Sequence, residues 1–147
     1  MMRFIITVLL LFPLLSNAQL KLTWQDMKDV SFTKDFDPDY SVEILYPTFG
    51  TKIQKYEEKE VYIKGFLIPI DIEDGKFALS ANPYQSCFFC GKAGPESVLQ
   101  LKLSSKRRYL GFKMDQVLTF KGTFKLNRTD VTELVYILED AELYYGK

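Results

Sequence analysis

Residues 61–70 read VYIKGFLIPI, a run rich in β-branched and aromatic residues. A run of this kind is typical of a β-strand. Gly65, in its middle, predicts a bulge or sharp bend. Pro69 predicts that the strand leaves its ladder, or becomes an edge, near its end. The sequence therefore predicts a long first strand that bends at Gly65.

The chain after this strand continues in the same pattern. Asp74-Gly75 predicts a tight turn, after which residues 76–80 return as a strand. Residues 98–103 and 117–126 alternate apolar and polar side chains, as strands do. Residues 134–144 fit either a helix or a strand, and we favour a strand preceded by a single helical turn. Five strands of this kind predict an all-β fold, a closed or nearly closed OB-like barrel, because closure removes edge strands.

The residues before the barrel predict less regular structure. Residues 22–30 predict a short N-terminal helix, since Thr23 and Asp26 have the spacing of a capping box. Residues 31–40 are rich in aspartate and contain a proline, and they predict a loop.

The amino-terminal residues have the features of a secretory signal peptide. Arg3 precedes an apolar run, and small residues end the segment 1–18, so we expect cleavage between Ala18 and Gln19. The apolar run is shorter than the roughly 20 residues that span a bilayer, so no stable membrane span is expected after cleavage. The sequence predicts a periplasmic or secreted protein whose residues 19–147 form one OB-like domain.

The composition excludes several classes of active site. The 147 residues include no histidine and two cysteines, and 19 Lys and Arg balance 19 Asp and Glu. Without imidazole there is no Ser-His-Asp or Cys-His pair and no His-ligated metal site. A balanced charge gives no electrostatic footprint for nucleic acid. We interpret the basic residues 106–108, beside Tyr109, as a solvated loop.

Both cysteines lie in one Pro/Gly-rich loop, residues 82–96, with the spacing Cys87-x-x-Cys90. Three interpretations stay open. In an oxidising compartment the pair forms a structural disulfide. As thiolates, the pair binds zinc, which needs further ligands, or copper(I), which needs fewer. As a redox pair, Cys87 is the attacking thiol and Lys92 is the nearby cation.

The other loop residues complete the predicted working surface. Phe88 and Phe89 are either core plugs or an exposed apolar lip, and Pro95 and Glu96 belong to the same surface. No catalytic residue is predicted. The favoured function is an exported non-catalytic binding or accessory protein that handles a metal ion or a periplasmic partner protein. The alternatives are a thiol–disulfide redox protein and a domain whose disulfide is only structural.

The chain resembles a family of small exported bacterial proteins that is catalogued as a domain of unknown function. The resemblance is carried by Trp24, by V-x-I-x-G-F-x-I-P over residues 61–69, by a Leu-Ser segment and by the cysteine loop. It implies an OB-like fold and, for some members, a link with zinc-responsive gene sets. It implies no activity.

The family pattern differs from this chain inside the cysteine loop. That pattern has a cysteine, a histidine two residues later and then a proline run. Cys87 matches the cysteine, Phe89 stands at the histidine position and Cys90 follows it, while Pro95 is what remains of the proline run. From the resemblance, Cys90 either replaces the imidazole as a metal ligand or converts the loop to a disulfide.

Overall fold

Strands make up most of the regular structure. The computed structural model describes residues 20–39, 41–105 and 111–146. The predicted signal peptide, with its Ala18–Gln19 cleavage site, and the basic residues 106–108 lie outside these ranges. The described strands and the one α-helix are β1 (Leu20–Lys21), β2 (Val30–Asp37), β3 (Val42–Phe49), α1 (Thr51–Gln54), β4 (Glu60–Asp71), β5 (Lys76–Ser80), β6 (Val98–Leu103), β7 (Val117–Leu126) and β8 (Tyr136–Leu143). Short 3-10 turns occupy Asp26–Lys28, Tyr84–Ser86, Phe88–Cys90 and Pro95–Ser97.

Five of the strands close into a barrel. Their order is β4-β5-β6-β8-β7, and β7 pairs back onto β4. β6 and β8 run parallel, and the other four pairings are antiparallel. The prediction of an all-β five-stranded barrel is thereby confirmed. The ambiguity over residues 134–144 is also resolved, because Tyr136–Leu143 is a strand.

Gly65 allows a close packing contact that the sequence did not predict. β4 keeps continuous register with β7 through Gly65, and its irregularity lies between Pro69 and Asp71 in the pairing with β5. A Cβ at Gly65 would lie 2.6 Å from the carbonyl oxygen of Ser80 and 2.8 Å from Cζ2 of Trp24. Of the two predictions for Gly65, the bulge is therefore wrong, and the sharp bend stays a prediction. Glycine is needed there because a neighbouring backbone and an indole ring approach so closely.

The segment before β2 is attached to the barrel through contacts in the hydrophobic core. Alternate β4 side chains such as Val61, Ile63 and Leu67 point inward and are buried. The buried Tyr136 hydroxyl donates a 2.7 Å hydrogen bond to the Met27 carbonyl oxygen. Burial raises the pKa of Tyr136 far above its ordinary value, so the phenol remains a donor at any working pH.

The predicted helix over residues 22–30 is wrong. The predicted capping box does form, because the Thr23 N–H donates to the Asp26 carboxylate and the Asp26 N–H donates to the Thr23 hydroxyl. It supports only the 3-10 turn Asp26–Lys28. The turn ends at Asp29, whose carboxylate instead accepts the backbone N–H groups of Lys52 and Ile53 at the start of α1.

The predicted loop over residues 31–40 is wrong for residues 31–37, while residues 38–39 form a turn. Residues 30–37 are β2, which pairs antiparallel with β3 along its whole length to form a two-stranded hairpin. The aspartates that indicated a loop lie near the hairpin tip, where Asp35 is exposed. Charged residues are tolerated there because strands at a sheet edge face water. Within the described ranges, no helix is long and apolar enough to cross a membrane.

Candidate functional site

The two cysteines share one hydrogen-bond acceptor. Cys87 is buried, Cys90 is exposed and both are free thiols. Their Sγ atoms lie 3.0 and 3.1 Å from the carbonyl oxygen of Tyr84, to which both thiols donate. The two sulfur atoms are therefore no farther apart than the sum of these two distances. The loop holds a proximal thiol pair with one thiol facing water.

Local backbone turns produce this arrangement. Cys87 lies between two 3-10 turns, and the second turn ends at Gly91, whose positive φ of 68° suits glycine. The Tyr84 N–H donates a 2.8 Å hydrogen bond to the carboxylate of Asp115, which fixes the loop to the segment before β7. Because Cys87 is buried, Cys90 is the thiol that solvent can reach, whereas the sequence analysis named Cys87 as the attacking thiol of a redox pair.

The described residues near the cysteines supply few ligands for a metal ion. In the ranges that the structure describes, no group of three or more His, Cys, Asp or Glu residues could hold a metal ion. Structural zinc takes four protein ligands, and the loop supplies two. Of the two methionines that follow the predicted signal peptide, Met27 is buried in the main core and Met114 is exposed. Copper(I) needs fewer ligands than zinc, so two thiols alone would come closer to completing a copper(I) site than a zinc site.

A groove of about 1140 Å³ runs between the hairpin and the barrel. Residues of β3, β4, β5 and β6 line it, together with the cysteine loop and the segment before β8. Its walls are residues 42–45, Ile70, residues 74–77, Phe88, Phe89, Pro95, residues 100–103 and residues 131–135.

Several apolar side chains in these walls face solvent. They are between 37% and 50% exposed: Val42, Leu45, Ile70, Phe89 and Val131. Apolar side chains scattered singly over a surface need no explanation, but a cluster in a concave site marks a binding surface.

The predicted loop residues divide between the groove and the solvent. Phe88 is half-buried against a small cluster that includes Ile68 and Val98, and the Phe89 ring meets it edge-on at 5.6 Å. Of the two predicted roles, Phe88 therefore has the core role and Phe89 forms the exposed lip. Phe88, Phe89 and Pro95 line the groove, whereas Lys92 and Glu96 are not among its walls.

The segment before β8 is held rigidly beside the groove. The Asn127 side-chain amide donates to the carbonyl oxygens of Asp130, Glu133 and Leu134. Next to it, Arg128 forms a forked ion pair with Glu57, and this hydrogen bonding lowers the pKa of the Glu57 carboxyl. These contacts give the groove a preformed wall.

The groove residues outside the cysteine loop were not predicted from the sequence. Val42, Leu45, Ile70 and Val131 are spread over three elements that only the fold brings together. One local signal was available. Residues 42–45 read VEIL, which places apolar side chains on both faces of a strand, although β3 is not enclosed on both sides.

Comparisons with known proteins identify no relative of known function. No family model matches the chain, and no curated protein matches it. A solved structure with a similar shape is a DUF3299 family protein from Pseudomonas aeruginosa PAO1. That protein is 15% identical, with a TM-score of 0.49, and the match covers 88% of this chain and 99% of the other.

Proposed function

We propose that this protein is an exported, non-catalytic binding module that holds an apolar segment of a partner polypeptide in the groove. The observation that carries the proposal is the cluster of half-exposed apolar side chains in a concave site. The cysteine loop contributes to that site through Phe88, Phe89 and Pro95. In this proposal the cysteine loop belongs to the working surface together with residues of the hairpin and the barrel.

The position of the groove on the barrel supports a binding role. We propose that the barrel is of the OB type, with β4 as its first strand. OB barrels bind ligands on the face of their second and third strands, between the loops after the first and fourth strands. Here those strands are β5 and β6, and residues 74–75 and 131–135 line the groove from the corresponding loops. This support is an analogy at the level of the fold.

The proposed location rests on the sequence. The signal-peptide pattern of residues 1–18, with Ala18–Gln19 as the cleavage site, and the resemblance to small exported bacterial proteins both favour the periplasm or secretion. The partner is then another exported polypeptide, and no cofactor is needed to hold it.

Ile70 and Ile72 allow a test of peptide binding in the groove with a matched control variant. The probe is a fluorescein-labelled peptide with an alternating valine–threonine core and Gly-Ser tails. Ile70→Glu places a carboxylate in the groove wall, whereas Ile72→Glu places one outside it at a similarly exposed side chain. We expect Ile70→Glu to weaken binding by at least about tenfold, because the complex would bury an unpaired charge, and Ile72→Glu to leave it unchanged.

Fluorescence anisotropy measures the binding, and thermal unfolding checks that both variants remain folded. Both side chains are about half exposed, so neither change is expected to disturb the core. Equal binding by the two variants, or no binding of the peptide to the unmodified protein, would show that the groove is not the site.

The thiol pair favours a second candidate, thiol–disulfide exchange with a partner protein. In this reaction the Cys90 thiolate attacks a partner disulfide, forms a mixed disulfide and releases one partner thiolate. Cys87 then loses its proton to solvent and attacks the Cys90 sulfur, which releases the second partner thiolate. The partner disulfide is reduced, and Cys87 and Cys90 are oxidised to a disulfide. The shared acceptor at Tyr84 supports this candidate because it keeps the two sulfurs close.

A further inference from the structure

The edge of β3 that faces away from β2 indicates how a partner polypeptide binds in the groove. In the ranges described, β3 pairs with β2 and with no other strand. Residues 42–47, six in a row, line the groove or the small cavity that adjoins it, and no residue of β2 lines either. Successive side chains of a strand point to opposite faces. Because consecutive residues of β3 line the groove, β3 borders the groove with its edge and not with one face.

We propose that an extended segment of the partner joins the hairpin as a third strand along this edge of β3. An unpaired strand edge presents a row of backbone N–H and C=O groups. A purely apolar ligand lying against it would displace the water on these groups and leave them without partners, at a cost in free energy. An extended polypeptide supplies donors and acceptors at the matching spacing, which is the basis of strand addition.

The charges around the groove indicate that the added segment is uncharged. Each charged side chain in the described walls already has an opposite partner. Lys76 lies 3.1 Å from Asp74, Lys102 lies 2.9 Å from Glu133, and Glu43 lies 3.8 Å from Lys34. A charged segment would have to displace one of these pairs to find its own counter-ion, whereas a neutral one leaves all three intact.

The same walls define the length and pattern of the segment. Six residues of β3 extend about 20 Å at a rise of roughly 3.3 Å per residue, so the added strand has about six residues. Every second side chain would point towards the barrel, where Phe77 and Leu101 line the floor of the groove. The other side chains would face water. An apolar residue at every second position, with neutral polar residues between, fits this site.

This inference rests on the proposed function, and N-methylated peptides separate the two. The same valine–threonine probe is compared with a version that carries an N-methyl group on every core amide. The side chains are identical, but the methylated peptide has no N–H groups to donate along β3. We expect methylation to weaken binding by at least about tenfold, measured by anisotropy, which corresponds to about 1.4 kcal/mol.

The outcomes are distinct. Strong binding of the plain peptide with weak binding of the methylated one supports strand addition. Equal binding of both overturns strand addition and leaves the apolar groove as the site. No binding of either peptide overturns both proposals. If sedimentation shows a dimer and neither peptide binds, a second copy of this chain is the occupant, and the proposal of a separate partner is overturned.

Discussion

Replacing Gly65 with alanine is expected to lower the free energy of unfolding by about 3 kcal/mol, the upper end of the usual cost of overpacking a core. The new Cβ would lie 2.6 Å from the Ser80 carbonyl oxygen, 2.8 Å from Trp24 Cζ2 and 2.9 Å from Leu79 Cγ. The first of these atoms is backbone, so relief requires β4 and β5 to separate. The Trp24 ring cannot move away freely, because its Nε1 donates a 2.8 Å hydrogen bond to the Lys64 carbonyl oxygen.

Gly111→Ala is the matched control for this substitution. A Cβ at Gly111 meets no atom of the described residues within 4 Å, and its φ is not positive. Urea unfolding followed by tryptophan fluorescence measures both variants. Gly111→Ala is expected to be unchanged or slightly more stable, since alanine restricts the unfolded chain. Equal stability of the two variants would contradict the close packing described around Gly65.

We expect Cys90 to be alkylated at least about 100-fold faster than Cys87. This ratio corresponds to a free energy of about 3 kcal/mol for the local opening of the loop that exposes Cys87. Cys90 is exposed, and Cys87 is buried. When the reduced, folded protein is treated with iodoacetamide, one adduct should form rapidly and the second only slowly. Intact mass spectrometry over time measures the two rates.

Serine variants assign the two adducts. Cys90→Ser should remove the fast adduct, whereas Cys87→Ser should retain it. In denaturant, the two thiols of the unmodified protein should react at similar rates. Similar rates in the folded protein, or a fast adduct at Cys87, would show that the loop does not hold Cys87 in the interior. In that case the assignment of Cys90 as the accessible thiol of a redox pair would fail.

The barrel could be predicted because its strands carry a clear period of two. In β4 the inward positions hold Val61, Ile63 and Leu67, and the outward positions 60, 62, 64 and 66 are less buried. The hairpin was missed because β2 carries the opposite signals. Asp35 and Asp37 indicate a turn when read locally, and the pairing of β2 with the apolar run of β3 outweighs that local preference.

The sequence predicted only part of the candidate site, because the rest depends on contacts between segments that are distant in sequence. The spacing of Cys87 and Cys90 pointed to a loop whose residues Phe88, Phe89 and Pro95 line the groove. The sequence does not encode locally which thiol is buried, since burial depends on how the loop packs onto the barrel. The groove is lined by Leu45, Ile70 and Val131, which come from three segments distant in sequence. These segments lie side by side only in the folded protein.

Amide hydrogen exchange by NMR, with and without the valine–threonine peptide, tests most directly whether the groove holds a strand against β3. We predict that amides within residues 42–46 that point away from β2 exchange at least about tenfold more slowly in the complex, because each gains a hydrogen-bond partner. Amides of the β5–β6 pair, already bonded within the barrel, should change little. If the peptide binds without slowing exchange at residues 42–46, the partner does not pair with β3, and the central claim is contradicted.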